Sequence, residues 1–429
     1  MTTPTKTQEI AAGSFENLGL APKIIETLTA LKLTVPTPIQ SKSIPFSLEG
    51  QDLIGIAQTG TGKTLAFALP LIQRLSRGGG RGLIVLPTRE LALQVDETFQ
   101  RIARYIPIRT AVLIGGENIE KQKRQLARQP HILITTPGRL IDHLEQRTVK
   151  LNDIRILVLD EADRMLDMGF APQIKKILQV VPKDRQTLLF SATMPTEIAT
   201  IAEKDMRSPV RVEIARAGTT AEHIKQELYV VRKDQKNQLL EKILSDTQGS
   251  VLVFSRTKHG AKRLTTVVQS MGHRATEIHS NRSLNQRREA LAGFKSGKYR
   301  VLIATDIAAR GIDVTGIELV INFDLPDQSE DYVHRIGRTG RAGLTGRAVS
   351  FATPDQGQDV RAIERLTRTV LAITPLPTLP RARFVPPSAP SYGDERRHST
   401  GGGHHRSAAP HAHSAHAPRR AAPYHSRGR

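Results

Sequence analysis

Short apolar runs recur along the chain with helix-length or loop-length stretches between them: LIVL at 83–86, AVLI at 111–114, ILIT at 132–135, ILVL at 156–159 and TLLF at 187–190. Runs of this length and composition read as buried strands, and their spacing predicts repeated βαβ units on a parallel sheet. From 211 to 221 the sequence RVEIARAGTTA falls from a strand-like run into small and polar residues, the composition of a short interdomain connection. A second series follows, VLVF at 251–254, VLIA at 301–304, LVIN at 319–322 and AVSF at 348–351. The expected fold is therefore α/β, with two parallel-sheet domains of comparable size in tandem. No short-period repeat of the solenoid kind is visible.

The remainder of the 429 residues is of another kind. After Pro380 the chain is Arg, His, Pro, Ser, Gly and Ala with hardly an aliphatic residue, too little to bury a core, and a disordered tail is expected. Residues 381–429 hold nine Arg, no Lys and two acids, so a net +7 of the chain's +21 sits there. A pI near 10.4 favours a polyanionic partner, nucleic acid first and an anionic membrane surface second. Aromatics make up only 4%, with no Trp, which argues for a grip on phosphates over base stacking. Nothing approaches the ~18 apolar residues of a spanning helix, and MTTPTKTQEI lacks a signal-peptide core. The absence of cysteine excludes disulfides, thiolate zinc sites and cysteine nucleophiles. A soluble, cytoplasmic protein without membrane partners is expected.

Two segments carry nucleotide chemistry. Ala57, Gln58, Thr59, Gly60, Thr61, Gly62, Lys63 and Thr64 follow the strand-like DLIGIA and precede the helix-like LAFALPLIQRL. In that context glycines let backbone N–H groups approach phosphates, Lys63 reaches the β and γ phosphates, and Thr64 holds Mg²⁺. The strict pattern begins with Gly where this chain has Ala57. Further on, ILVL runs into Asp160, Glu161, Ala162 and Asp163. A carboxylate at the end of a buried strand can share the Mg²⁺ with Thr64, and its neighbour can polarise an attacking water. Acids complementing a helix dipole are the plain alternative, and the phosphate loop upstream on the same sheet decides against it.

Asp160 to Asp163 spell DEAD, and from about 13 to 375 the chain resembles the DEAD-box ATP-dependent RNA helicases. It looks most like their bacterial RhlE-like group, through DEADRMLDMGF and VLIATDIAARGIDV. The resemblance implies ATP and Mg²⁺ as cofactors, two RecA-like domains, and RNA bound mainly by its sugar-phosphate backbone. It implies that Phe15 packs against adenine and Gln40, ending PTPIQ, bonds its edge. PTRELALQ with Arg89, Gly115 and Gly116, and TPGRL with Thr136 and Arg139, would line the RNA path. Ser191 and Thr193 of the SAT motif, with Asp163, would couple hydrolysis to strand separation. In the second domain Thr305 would touch RNA and Asp313 the ribose. Arg338 and Arg341 of HRIGRTGRAG would be arginine fingers, and His334 a positioning and coupling residue, not a proton carrier. The implied layout is a flexible N-terminus at 1–12, the adenine-recognition motif at 13–41, an ATP-binding domain at 42–214, a linker at 215–221, a second domain at 222–375 and the tail at 376–429.

One departure concerns the second domain. Family members commonly read His-Gly with Gln five after the His, where this chain has His279, Ser280 and Leu284; Arg287 is kept. That alters the expected geometry of an RNA-side contact and leaves the ATP motifs intact. The tail's HHR and HAHSAH read as a flexible, partly protonated segment before a metal site. By resemblance the cleft is open without ligands, and ATP and RNA together favour its closed form, which bends one strand and locally separates a short duplex. A non-enzymatic ATP-gated RNA clamp and a DNA-directed translocase are the rivals. Partner proteins of ribosome assembly or RNA degradation are a further expectation.

Overall fold

The structure, a computed structural model, describes residues 13–58, 60–104, 106–214, 224–306, 314, 316–340 and 345–380. Residues 1–12, the linker at 215–221 and nearly all of the tail lie outside these, as do Thr59, Asp313 and Arg341. The first sheet is formed by β1 (Leu53–Ile56), β2 (Arg81–Val85), β3 (Thr110–Leu113), β4 (Ile132–Thr135), β5 (Ile154–Leu159), β6 (Gln186–Ser191) and β7 (Val210–Glu213). Its order is β3-β4-β2-β5-β6-β1-β7 and every pairing is parallel. The second comprises β8 (Ile224–Val230), β9 (Val251–Phe254), β10 (Ala275–Ile278), β11 (Val301–Ala304), β12 (Leu319–Asn322) and β13 (Gly346–Ala352). It runs β10-β11-β9-β12-β13-β8, again all parallel.

Each apolar run of the sequence is a strand, because a parallel sheet is covered by helices on both faces and needs no polar side. In β2, Ile84 enters the apolar cluster on one face while Leu83 and Val85 enter the cluster on the other. Strands β8 (IKQELYV) and β10 (ATEI) escape that pattern because both lie at sheet edges and carry polar residues among apolar ones. The edge at β8 is partly covered: Leu228 N–H donates to Ala372 O at 3.2 Å, and Thr374 N–H to Leu228 O at 2.7 Å. Leu379 also packs on the second-domain core, so packed chain continues past the boundary expected at 375.

Strand order decides what meets what at the carboxyl ends of the strands, where ligands bind in such sheets. Neighbouring strands β5, β6 and β1 place the acidic segment, the SAT motif and the phosphate loop side by side, with Ile56 level with Ser191. The other half, β3-β4-β2, gathers the loops holding Gly116, Thr136 and Arg89. The two domains touch. Helix α12 (Leu284–Lys295) of the second domain sends Arg287 Nη2 to within 2.5 Å of Glu90 Oε2, and Arg288 Nη2 to 3.4 Å from Glu117 Oε1. The two domains thus meet across a closed cleft.

Candidate active site

The loop after β1 turns into α3 (Lys63–Gly78) at Gly62, whose φ of 91° only glycine adopts freely. A Cβ at Gly62 would also run into the Gln40 amide. Gln40 is buried; its Nε2 donates to Gly62 O at 3.0 Å and its Oε1 accepts from Thr37 N–H at 2.9 Å. Gln40 therefore props the phosphate loop directly, a contact its adenine-recognition reading did not contain. Thr61 Oγ1 closes the loop on Gln58 O at 2.7 Å. The Lys63 ammonium, buried, donates to Ala57 O at 2.9 Å, and Thr64 stands beside it in the first turn of α3, half-buried. Phe15 is 3% exposed and belongs with Leu18, Leu20 and Ile24 to the apolar cluster of the first-domain core.

At the end of β5 all three acids are buried, yet their environments differ. Burial pushes Asp160 up to about 7 against the pull of the Lys63 ammonium. Glu161 feels the same burial, but Arg164, Lys63 and Arg338 together outweigh it and hold its carboxyl below the usual range. Its backbone sits in the left-handed region, φ 52° and ψ 51°, a conformation that costs a non-glycine residue of order 1 kcal/mol and persists where the surroundings impose it. Asp163 is also held low; burial is overcome by Lys63 and by hydrogen bonds from Thr193 and Arg164. Its Oδ2 accepts from Ala192 N–H at 3.0 Å, Thr193 N–H at 2.8 Å and the Thr193 hydroxyl at 2.9 Å. Ser191 Oγ accepts from Asp163 N–H at 3.2 Å. The acidic segment and the SAT motif are one network.

The second domain presents cations to this network. Helix α13 (Ser329–Ile336) ends at Gly337 and carries His334 and Arg335 in its last turn; Arg338 follows, 3% exposed, its Nε donating to His334 O at 3.2 Å. The positive field of Arg338 reaches Glu161 across the cleft. His334 is pushed down to about 4, first by burial, then by Arg164 and Arg338 against the opposing pull of Asp163 and Glu161. It is neutral at pH 7.

On the other half of the first sheet, Arg89 begins α4 (Arg89–Ala103) and covers Gly116, whose φ of 77° and missing Cβ admit the guanidinium. Thr136 stands at the N-cap position of α6 (Pro137–Glu145) without a side-chain capping bond, and inside the helix Arg139 Nη1 donates to Glu117 O at 3.2 Å and Gln122 Oε1 at 3.1 Å. Arg139 is thus largely engaged within the protein. Thr305 directly follows β11 at the carboxyl end of that strand in the second sheet, half-buried. The structure gathers Arg89, Gly116, Thr136 and Arg139 along one edge of the first sheet.

Several charged residues went unassigned in the sequence. Arg164, 2% exposed, places Nη1 2.7 Å from Glu161 Oε2. Arg335, 1% exposed, grips Asp306 at 2.5 and 2.7 Å and donates to Asp324 O at 2.6 Å, tying the α13 segment to the loop after β11. The Glu90 and Arg287 pair spans 197 positions. Arg164 adjoins DEAD, Arg335 lies inside HRIGR, Glu90 inside PTRELALQ and Arg287 in the motif that begins at His279, so proximity to a motif was the available signal; that Glu90 pairs with Arg287 had no signal until the domains met.

Two RecA-like domains that share one nucleotide cleft define a tandem-domain nucleoside-triphosphate hydrolase. A family model described as DEAD/DEAH box helicase matches residues 37–201, and one described as helicase conserved C-terminal domain matches 235–343. The chain is 43% identical to the ATP-dependent rRNA helicase RRP3 of Debaryomyces hansenii, over 81% of this chain and 74% of that protein. It is also 43% identical to the DEAD-box ATP-dependent RNA helicase CshA of Geobacillus kaustophilus, over 86% and 80%. Among solved structures, S. cerevisiae Dbp5 bound to RNA and ADP BeF3 superposes with a TM-score of 0.76 at 31% identity, covering 85% of this chain and 95% of that one. The chain belongs to the DEAD-box ATP-dependent RNA helicases.

Proposed function

We propose that this helicase uses ATP to close its two domains on RNA, bending and locally separating a short duplex, and that hydrolysis resets the cleft. The observation that carries this reading is that Lys63 of the first domain and Arg338 of the second both act on the buried Glu161. The likeness to a helicase bound to RNA and ADP BeF3 supports it. In this scheme Lys63 moves from Ala57 O to the phosphates, Glu161 leaves Arg164 to orient water, and Arg338 stabilises charge on the transferring phosphoryl group. Arg341 is proposed as the second finger and Asp313 as a ribose contact. Asp163, Ser191, Thr193 and His334 pass the state of the site to the RNA face, where Arg89, Gly116, Thr136, Arg139 and Thr305 meet the backbone.

The residues fit Mg²⁺. Asp160 is a buried carboxylate short of positive charge, which a divalent cation corrects, and the Thr64 hydroxyl stands in the neighbouring helix turn. Among the described residues no group of three or more His, Asp or Glu could hold a metal, so phosphate and water would complete the shell, as Mg²⁺ accepts. When bound, the ion neutralises charge developing on the phosphates.

We also propose placement in the bacterial RhlE-like group, on DEADRMLDMGF and VLIATDIAARGIDV, a cytoplasmic location, and partners in ribosome assembly or RNA degradation. Among the described residues no helix is long and apolar enough to cross a membrane. The proposed domain limits are 13–41, 42–214 and a second domain from 222 to about 380, joined through 215–221. Steady-state ATP hydrolysis with no nucleic acid, with single-stranded RNA and with matched DNA tests the reading. Stimulation by RNA is expected; stimulation by DNA with none by RNA would establish the translocase, and RNA binding without turnover the clamp.

A further inference from the structure

The Leu284 departure acquires a meaning once the sheets are in place. Leu284, Arg287 and Arg288 lie at i, i+3 and i+4 of α12, hence on one face, and that face meets the first domain. Leu284 is 5% exposed and, among the described residues, is the single second-domain member of an apolar cluster otherwise drawn from residues 15 to 212 of the first. Its two neighbours are poor sources of closing free energy. Arg287 and Glu90 form a pair with side chains 9% and 5% exposed, so desolvation offsets much of their attraction, and Arg287 Nε finds no hydrogen-bond partner. Arg288 and Glu117 are 3.4 Å apart with Arg288 about half exposed, a geometry that contributes little. Burial of an aliphatic side chain carries no such cost, and it is lost whenever the cleft opens.

We infer that Leu284 is an apolar latch, a positioning residue that holds the second domain against the first and supplies closing affinity that the flanking ion pairs do not. The inference rests on the closure reading above. Where family members by resemblance carry Gln, this chain has exchanged a water-competing group for one that water drives into the interface. The ion pairs then set register, and the leucine sets the population of the closed form.

The test uses the full chain, which has no native cysteine, labelled with a dye pair through Glu203→Cys on the first domain and Lys262→Cys on the second. Closure is read by energy transfer as single-stranded RNA is titrated with a non-hydrolysable ATP analogue. L284A and L284Q are expected to raise the RNA concentration for half-closure about tenfold or more, the effect of losing one buried aliphatic side chain. L284M should stay within about twofold, and saturated turnover in all three within about twofold of the parent. Half-closure unchanged in L284A and L284Q, with the parent closing normally, overturns the latch alone. A parent whose dye distance never responds overturns the closure reading and the latch with it. A lowered melting temperature with unchanged closure would place Leu284 in the second domain's own core and also overturn the latch.

Discussion

The two domains share a grammar of parallel strands and crossover helices, yet only one of them carries a phosphate-loop sequence. In the first, β1 opens into a loop whose glycines free backbone N–H groups and whose Lys63 faces three buried acids. In the second, the central strand β9 runs into Ser255, Arg256 and Thr257; Thr257 caps α11 (Lys258–Ser270) through Gly260 N–H at 3.0 Å, and no glycine loop intervenes. The first domain is thus a binding site lacking part of its charge, and the second is a carrier of His334 and Arg338 with no triphosphate loop of its own. Function sits on the loops of a duplicated scaffold. In the proposed mechanism neither half is competent by itself, and closure is the step that assembles the chemistry.

Removing the second domain's contribution should have the largest effect. Arg338→Ala is expected to lower RNA-stimulated turnover by about 10³ or more, with ATP affinity little changed, since the guanidinium acts on developing charge. Turnover within tenfold of the parent would mean that the fingers lie elsewhere. Next is the first domain's own acid. Glu161→Gln should reduce hydrolysis by ~10² or more while RNA and ATP binding persist, measured by single-turnover kinetics beside equilibrium binding. Loss of binding in parallel with turnover would show instead a structural role for the strained Glu161.

Smaller effects probe the coupling between the halves. Thr193→Val removes one of three hydrogen bonds on Asp163 Oδ2 and keeps two from backbone. Duplex unwinding per ATP hydrolysed should fall about tenfold, in keeping with one charge-assisted hydrogen bond, while turnover falls less. An equal loss in both would refute a coupling role. The smallest expected effect is on pH. His334 is pushed down to about 4 in the closed site from an ordinary value of 6.5, so the open form binds the proton better. Closed-state stability is intact above 6.5 and is lost as pH falls toward 4. Between pH 7 and 5.5 the RNA concentration for half-maximal turnover should rise about fivefold, and His334→Gln should flatten that rise. A parallel pH response in the variant would place the titration on another group.

The strands, the phosphate loop and the acidic strand end were legible in the sequence because each is a local matter. Four apolar residues in a row, such as ILVL at 156–159, can be satisfied by a buried strand, and AQTGTGKT carries its conformational needs in its own glycines. Edge strands β8 and β10 were less legible, since one polar side blurs the pattern. What only the tertiary structure decided is how distant loops become neighbours and what burial then does to them. The order β5-β6-β1 joins Asp163 to Thr193, and closure joins Glu90 to Arg287. Phe15 went to the core, Gln40 to the Gly62 carbonyl, and Leu284 to the other domain's apolar cluster. Asp160 and Glu161 are adjacent in the chain, but their proton affinities diverge because desolvation and the reach of Arg164 and Arg338 depend on three-dimensional placement. Composition and spacing name the groups that can ionise, whereas the field around each is a property of the assembled cleft.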